Sequence, residues 1–164
     1  MQLLVQKNFL CFGKYKFPCA IGKNGITKNK MEGDGCSPSG RYKINEIYYR
    51  ADRLGKIKFK TDSFEISPDD GWCDDPNSQF YNKRIKFPFS YSAENLHRQD
   101  NLYDIVCVIN YNMNPTKPGK GSAIFLHVAH HDYKGTEGCV AIKLDDLLKL
   151  APLITNDTLI NIES

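Results

Sequence analysis

The sequence is notable first for what it does not contain. No apolar run approaches the ~20 residues needed to cross a bilayer as a helix, so a spanning helix is excluded. None of its six cysteines forms a C-x-x-C pair, which removes the common zinc-ribbon and thioredoxin-type patterns and leaves free thiols as the default. There is one tryptophan, no internal repeat, no low-complexity tract and no linker, so the 164 residues read as one domain, 1–164. Net charge is only +3, and Lys14, Lys16, Lys23, Lys28 and Lys30 are scattered rather than ranged along one helix face. Nucleic acid is therefore not the expected partner, and these lysines read as a solvated surface. The first residues, Met1-Gln2-Leu3-Leu4-Val5-Gln6-Lys7, lack the charged start, apolar core and small-residue cleavage site of a secretory leader. The expectation is a cytosolic chain, or one whose leader is removed or whose export takes another route.

What is present is β-type sequence. Leu3 to Gln6, Lys16 to Ile21, Tyr42 to Tyr49, Ile57 to Ile66, Ile105 to Tyr111, Ser122 to Val128 and Leu159 to Ile162 read as strands between clusters of Gly, Pro, Asn and Asp. Ile105-Val106-Cys107-Val108-Ile109 is apolar throughout, which suits a central strand covered on both faces. One clear helix is expected late, where Leu144, Leu147, Leu148 and Ala151 recur at helical spacing and Asp145 and Asp146 sit in the first turn. A weaker one is expected over Ala93 to Arg98, with His97 on its surface. Gly33 to Gly40 and Ser67 to Lys83 are long turn-rich stretches of the kind that carry function. The fold class is mostly β, a β-sandwich of mixed sheets or partly closed barrel with one or two short helices.

Cys139, in Thr136-Glu137-Gly138-Cys139-Val140, follows by twelve positions a histidine, His127, borne by Ser122-Ala123-Ile124-Phe125-Leu126-His127-Val128. A thiol after a glycine, with an imidazole from a nearby strand, is the minimum apparatus for cysteine acyl transfer. His127 would take the thiol proton, Cys139 would attack a carbonyl, and the N–H groups of Cys139 and Gly138 would hold the oxyanion. Two residues of these types also pack in cores, so the surroundings decide. His127, His130, His131 and Asp132 raise the question of zinc. Histidines at that spacing converge on a helix, however, and this segment is strand and then loop, so no metal is assigned. Trp72, Tyr81, Asn82 and Arg84 place aromatic, amide and cationic groups close together in sequence. They either bind a peptide carboxylate, which arginine grips bidentately, or fill a loop's own small core. The sequence leaves both open.

In this order, the pieces resemble the L,D-transpeptidase catalytic domain, or YkuD domain. Gly35-Cys36-Ser37-Pro38-Ser39-Gly40-Arg41-Tyr42 is similar to the family's early Thr-Pro-x-Gly-x-Phe segment. Ile124-Phe125-Leu126-His127 is similar to the strand bearing its catalytic histidine, and Thr136-Glu137-Gly138-Cys139-Val140 to its Ser-x-Gly-Cys nucleophile motif. The likeness runs from about Lys16 to Leu150. It implies a β-sandwich that acts on bacterial peptidoglycan, taking an acyl group from a stem peptide as a thioester and passing it to an amine of a second stem, or to water. By resemblance Cys139 is the nucleophile, His127 the base, Gly138 the preceding glycine and Thr136 the start of that motif. Glu137 stands where many members carry histidine, and Ala141 where many carry an arginine credited with a role in the site. Arg41 or Arg84 is the expected replacement cation. The interval from His127 to Cys139 is also short for the family, implying a small lid, and the motifs look closest to a subgroup some of whose members use the first stem residue as donor. Together the two readings make Arg41, Trp72, Tyr81, Asn82, Arg84, Thr136 and Glu137 the expected substrate contacts. The resemblance also implies no cofactor, peptidoglycan stem peptides as partner, a monomer, and a place in the cell envelope, with the cytoplasm left open.

Overall fold

A computed structural model describes all residues, 1–164. Chain order gives strands Gln2–Gln6 (β1), Phe9–Phe12 (β2), Tyr15–Pro18 (β3), Ile26–Thr27 (β4), Ser37–Pro38 (β5) and Gly40–Tyr49 (β6), then a single helical turn, Ala51–Leu54 (α1). Ser63–Glu65 (β7), Asp70–Cys73 (β8), Arg84–Lys86 (β9), Ala93–Asn95 (β10), Ile105–Ile109 (β11), Phe125–Val128 (β12) and Val140–Ile142 (β13) follow. Leu144–Leu150 (α2), a 3-10 turn at Ala151–Leu153 and Leu159–Glu163 (β14) close the chain. No helix is long and apolar enough to cross a membrane.

One mixed sheet dominates, in the order β13-β12-β11-β6-β14-β1-β2-β3, with β7 paired to β6 off that path. β11 sits inside it with all five residues buried, as its unbroken apolar run requires. Its two-residue period divides the core. Ile105, Cys107 and Ile109 join a cluster that also takes Leu147 and Leu150 from α2. Val106 and Val108 point the other way, into a second cluster with Trp72, Tyr103, Phe125 and Cys139. A small antiparallel sheet, β10-β8-β9, covers that second face, and Trp72 of β8 meets Phe125 of β12 edge to face at 5.2 Å. The architecture is therefore the mixed-sheet β-sandwich expected.

Several elements differ from the sequence reading. Residues 93–98 form strand β10 followed by turns, not a helix. Ala93, Glu94 and Asn95 pair with Cys73, Trp72 and Gly71, and this edge pairing overrides a weak local helix preference. His97 accordingly lies in a bend, its N–H bonded to the Asn95 side chain at 2.8 Å. Only Ser63–Glu65 of the 57–66 stretch is strand. The turn-rich stretch 67–83 hides β8, which is too short and too rich in Asp, Gly and Cys to show period-two patterning.

Asp70, fully buried in β8, anchors the small sheet. It accepts from the Ser67 N–H at 2.7 Å and pairs with Arg84 at 2.8 Å and Lys86 at 3.0 Å. The Arg84 guanidinium also lies over the Tyr48 ring at 4.9 Å, so this arginine works inside the fold. Arg84→Ala is expected to lower unfolding free energy by roughly 1–3 kcal/mol, since Asp70 keeps Lys86 but loses its closest cation. Urea unfolding checks this, and an unchanged midpoint would show that Lys86 suffices alone.

Candidate active site

The strand period gives His127 the same face as Phe125. β13 runs parallel to β12 with His127 opposite Ala141, so Cys139, two residues before Ala141, falls beside Phe125 on that face. Cys139 and His127 therefore line one cavity of about 510 Å³, with Glu94, Tyr103, Ser122 and Ala123 among its walls. Both are nearly closed off, at 8% and 6% exposure.

The turn before Cys139 is built by close packing. Gly138 has φ +140°, and a Cβ there would come within 2.8 Å of the Cys36 carbonyl oxygen. Only glycine lets the 34–38 loop approach so near. The carbonyl of Cys139 accepts from the Ser37 hydroxyl at 3.2 Å and the Thr136 hydroxyl at 2.6 Å. Ser37 accepts in turn from the Gly22 N–H at 2.9 Å. The early Ser-Pro-Ser-Gly segment and the Thr-x-Gly-Cys segment, a hundred residues apart in sequence, thus form one unit. The Gly138 N–H donates to Thr136 Oγ1 at 3.1 Å, whereas the Cys139 N–H has no protein partner. Of the two donors expected for an oxyanion, the Cys139 amide is the one available.

The imidazole is oriented from its own strand. His127 Nδ1 lies 2.9 Å from the Val128 carbonyl. A carbonyl only accepts, so Nδ1 carries the proton and Nε2 keeps its lone pair. The sequence offered no way to see this third group, because a main-chain oxygen leaves no residue signature. Tyr103 packs edge-on against the ring at 5.2 Å and donates its hydroxyl to Glu94 at 2.6 Å. Burial depresses the His127 pKa to about 4, with the Val128 and Leu102 carbonyls opposing the shift.

The thiol is held away from the imidazole. Cys139 Sγ donates to the Ala123 carbonyl at 3.1 Å and receives the Phe125 N–H at 3.4 Å. Burial pushes its pKa up to about 12, with Glu94 adding to the rise and the Phe125 N–H and Lys30 opposing it. The resting pair is thus neutral thiol and neutral imidazole, with no pre-formed thiolate.

Ala123, which receives the thiol proton, has φ +53°, a left-handed conformation that costs a non-glycine residue energy and needs outside support. Asn82 supplies it. Its Oδ1 accepts from the Ala123 N–H at 3.1 Å and the Trp72 indole at 3.0 Å, and its Nδ2 donates to the Tyr111 and Asn112 carbonyls at 3.0 and 2.9 Å. Tyr81 does a parallel job, accepting from the Gly121 N–H at 3.0 Å and donating to Glu32, which also receives the Ser122 hydroxyl at 2.7 Å.

The expected substrate contacts therefore separate. Trp72, Tyr81 and Asn82 are 2–3% exposed and stand behind the cavity wall. Arg84 is committed to Asp70, and Arg41 is an exposed residue of β6 opposite Asn161; neither lines the cavity. Thr136 and Glu137 do line it, and Glu137 pairs across the surface with Lys23 at 2.7 Å. His130, beside the motif as a rim residue, lines the cavity together with Arg98 and Lys134, which no motif marks. His131 is not in the lining, and no group of three or more His, Cys, Asp or Glu side chains is placed to hold a metal ion.

Two outcomes follow from this geometry. Asn82→Ala is expected to cost roughly 2–4 kcal/mol of stability, because buried groups lose partners, and to change the alkylation rate of Cys139 where both proteins remain folded. An unaltered rate would separate Asn82 from the nucleophile. For His127, the unfolded chain binds a proton below about 6.5 while the folded chain does not until about 4. Stability is therefore complete above about 6.5 and falls by about 3 kcal/mol as pH drops to about 4. His127→Gln should flatten that segment of the stability-pH curve, and a curve parallel to wild type would show that the imidazole does not titrate this way.

Compared with known families, the chain matches over residues 12–162 the model of the L,D-transpeptidase catalytic domain, YkuD. No match is found among curated proteins.

Proposed function

The chain belongs to the YkuD family of L,D-transpeptidase catalytic domains, cysteine-dependent enzymes of peptidoglycan, and from that premise we propose that it cross-links stem peptides through a thioester on Cys139. The observation that carries the reading is the cavity shared by Cys139 and His127, with Nδ1 of the imidazole committed to the Val128 carbonyl and Nε2 left as the proton acceptor. On substrate entry the thiol leaves the Ala123 carbonyl and turns toward His127. Nε2 takes the proton as sulfur attacks the donor carbonyl, and the Cys139 N–H receives the developing oxyanion. His127 then returns the proton to the departing amine, leaving the thioester. An acceptor amine attacks that thioester, its proton passes to Nε2 and back to sulfur, and the thiol is restored. Thr136 and Glu137 border the substrate, while Trp72, Tyr81 and Asn82 keep the wall in shape. Donor position follows from which stem residue fits beside Glu94 and Ser122. The substrate places the working protein, a monomer in this reading, in the cell envelope.

One observation favours a different outcome. A thiol whose pKa is pushed up to about 12 is not a ready nucleophile, which suits a module that binds peptidoglycan without reacting. The transpeptidase reading is preferred because a histidine with one free nitrogen lines the same cavity and can deprotonate the thiol in concert with attack.

The deciding experiment incubates the protein with purified muropeptides and follows products and intact protein by mass spectrometry. Dimers and an acyl adduct on Cys139 are expected, both absent from Cys139→Ala. Trimmed monomers without dimers would make water the acceptor. Identical profiles for wild type and Cys139→Ala would sink the enzymatic reading.

A further inference from the structure

Two of the lysines that look scattered in the sequence, Lys28 and Lys30, meet Lys117 and Lys120 in space. Residues 28–31 with Tyr111, Asn112, Lys117 and Lys120 line a second, open cavity of about 510 Å³, which Lys28, Lys117 and Lys120 border and no acidic side chain does. None of these three takes part in an ion pair, in contrast to Lys30 at the same cavity, which is bound to Asp34 at 2.5 Å and to the Met31 carbonyl at 2.8 Å.

The segment bearing Lys117 and Lys120 has its backbone tied down. Asn112 accepts from the Lys117 N–H at 2.8 Å and donates to the Lys117 and Gly121 carbonyls, each at 2.9 Å. The Tyr111 hydroxyl donates to the Lys120 carbonyl at 2.6 Å, and the Glu32 N–H reaches the Gly119 carbonyl at 2.9 Å. Like charges brought together on an ordered backbone repel one another, and an anion between them relieves that repulsion. The ordering has already been done by the fold, so little of the binding energy is spent on arranging the loop.

This cavity adjoins the catalytic one. Met31 lines the lysine cavity, and the next two residues, Glu32 and Gly33, line the catalytic one; Lys120 lines the lysine cavity, and Ser122 and Ala123 line the catalytic one. The stem of Lys30 runs along the partition, within 3.2 Å of where a Cβ on Gly121 would stand and 3.5 Å of one on Gly138. A peptide lying in both would have its reacting carbonyl at Cys139 and its end among the lysines.

The geometry points to a carboxylate subsite, in which Lys28, Lys117 and Lys120 receive the C-terminal carboxylate of a stem peptide. It rests on the peptidoglycan reading above for the identity of the peptide, and supplies cationic charge that neither Arg41 nor Arg84 delivers to the cavity.

The test compares a soluble stem tetrapeptide with its C-terminal amide. Binding is measured by calorimetry on Cys139→Ala protein, with and without the exposed-residue changes Lys117→Ala and Lys120→Ala, and circular dichroism verifies the fold. The acid is expected to bind about five-fold tighter than the amide. The double lysine variant should erase that preference and leave the amide's affinity unchanged. Adding 1 M NaCl should narrow the gap in the same way. Equal affinity for acid and amide, or a preference that survives in the double variant, overturns the subsite. If the preference holds but wild type forms no acyl adduct, the subsite stands and the transpeptidase reading falls; an adduct without the preference gives the reverse.

Discussion

Two hydroxyls meeting on one carbonyl hold the site together. Ser37 and Thr136 both donate to the Cys139 oxygen, and Gly138 allows the Cys36 carbonyl to come close enough for that to happen. Ser37 belongs to a two-stranded pairing of β4 with β5, and Thr136 bridges to Gly22. The nucleophile's main chain is therefore fixed from two directions before its side chain does anything. Thr136, at the start of the Thr-x-Gly-Cys segment, has a demonstrable job in this chain: its hydroxyl donates to the Cys139 carbonyl and accepts the Gly138 N–H. The Cys139 amide remains unpaired, and a buried donor without a partner is costly enough that a developing oxyanion is its natural complement.

The same burial that positions the side chains keeps them neutral. A thiol raised to about 12 and an imidazole depressed to about 4 are consequences of one cause, removal from water. A pre-formed thiolate would need the apolar cluster that Cys139 shares with Trp72, Tyr103 and Phe125 to solvate a charge. That cluster favours the neutral thiol. The thiol waits on Ala123, whose left-handed backbone is held by Asn82, so the resting state of the sulfur is itself built into the fold.

Much of this was legible in the sequence, in proportion to how far it depends on period. The all-apolar run at 105–109 gave a central strand, the late i, i+3, i+4 pattern gave α2, and alternation through 123–128 put His127 on a definite face. What escaped notice depends on contacts between distant segments. β8, β9 and β10 are three or four residues each, too short for alternation to register, and β10 took on a helical look because its partner strand was invisible. Trp72, Tyr81, Asn82 and Arg84 have the composition of a binding site, yet their polar atoms are spent on one another and on main chain. Residue type shows what a side chain can bind, but burial decides whether anything remains to be bound. Lys30, read as solvated surface, is 5% exposed because Asp34 and the Met31 carbonyl give its ammonium an interior home.

The alanine at 141, where the resemblance leads one to expect an arginine, lines the cavity as a bare methyl group. Ala141 is fully buried in a three-residue cluster with Ala20 and Ala129, and its main chain exchanges both hydrogen bonds with Ala20 at 2.8 and 2.9 Å. The segment at 20–22 runs beside it through that bridge, while the Ala141 side chain borders the cavity that holds Cys139 and His127 and brings no charge to it. Cationic charge must accordingly reach this site from elsewhere. Arg98 and Lys134 border the cavity of Cys139, and Lys28, Lys117 and Lys120 its neighbour. The cationic groups around the two cavities thus lie on loops, not on the strands that carry His127 and follow Cys139.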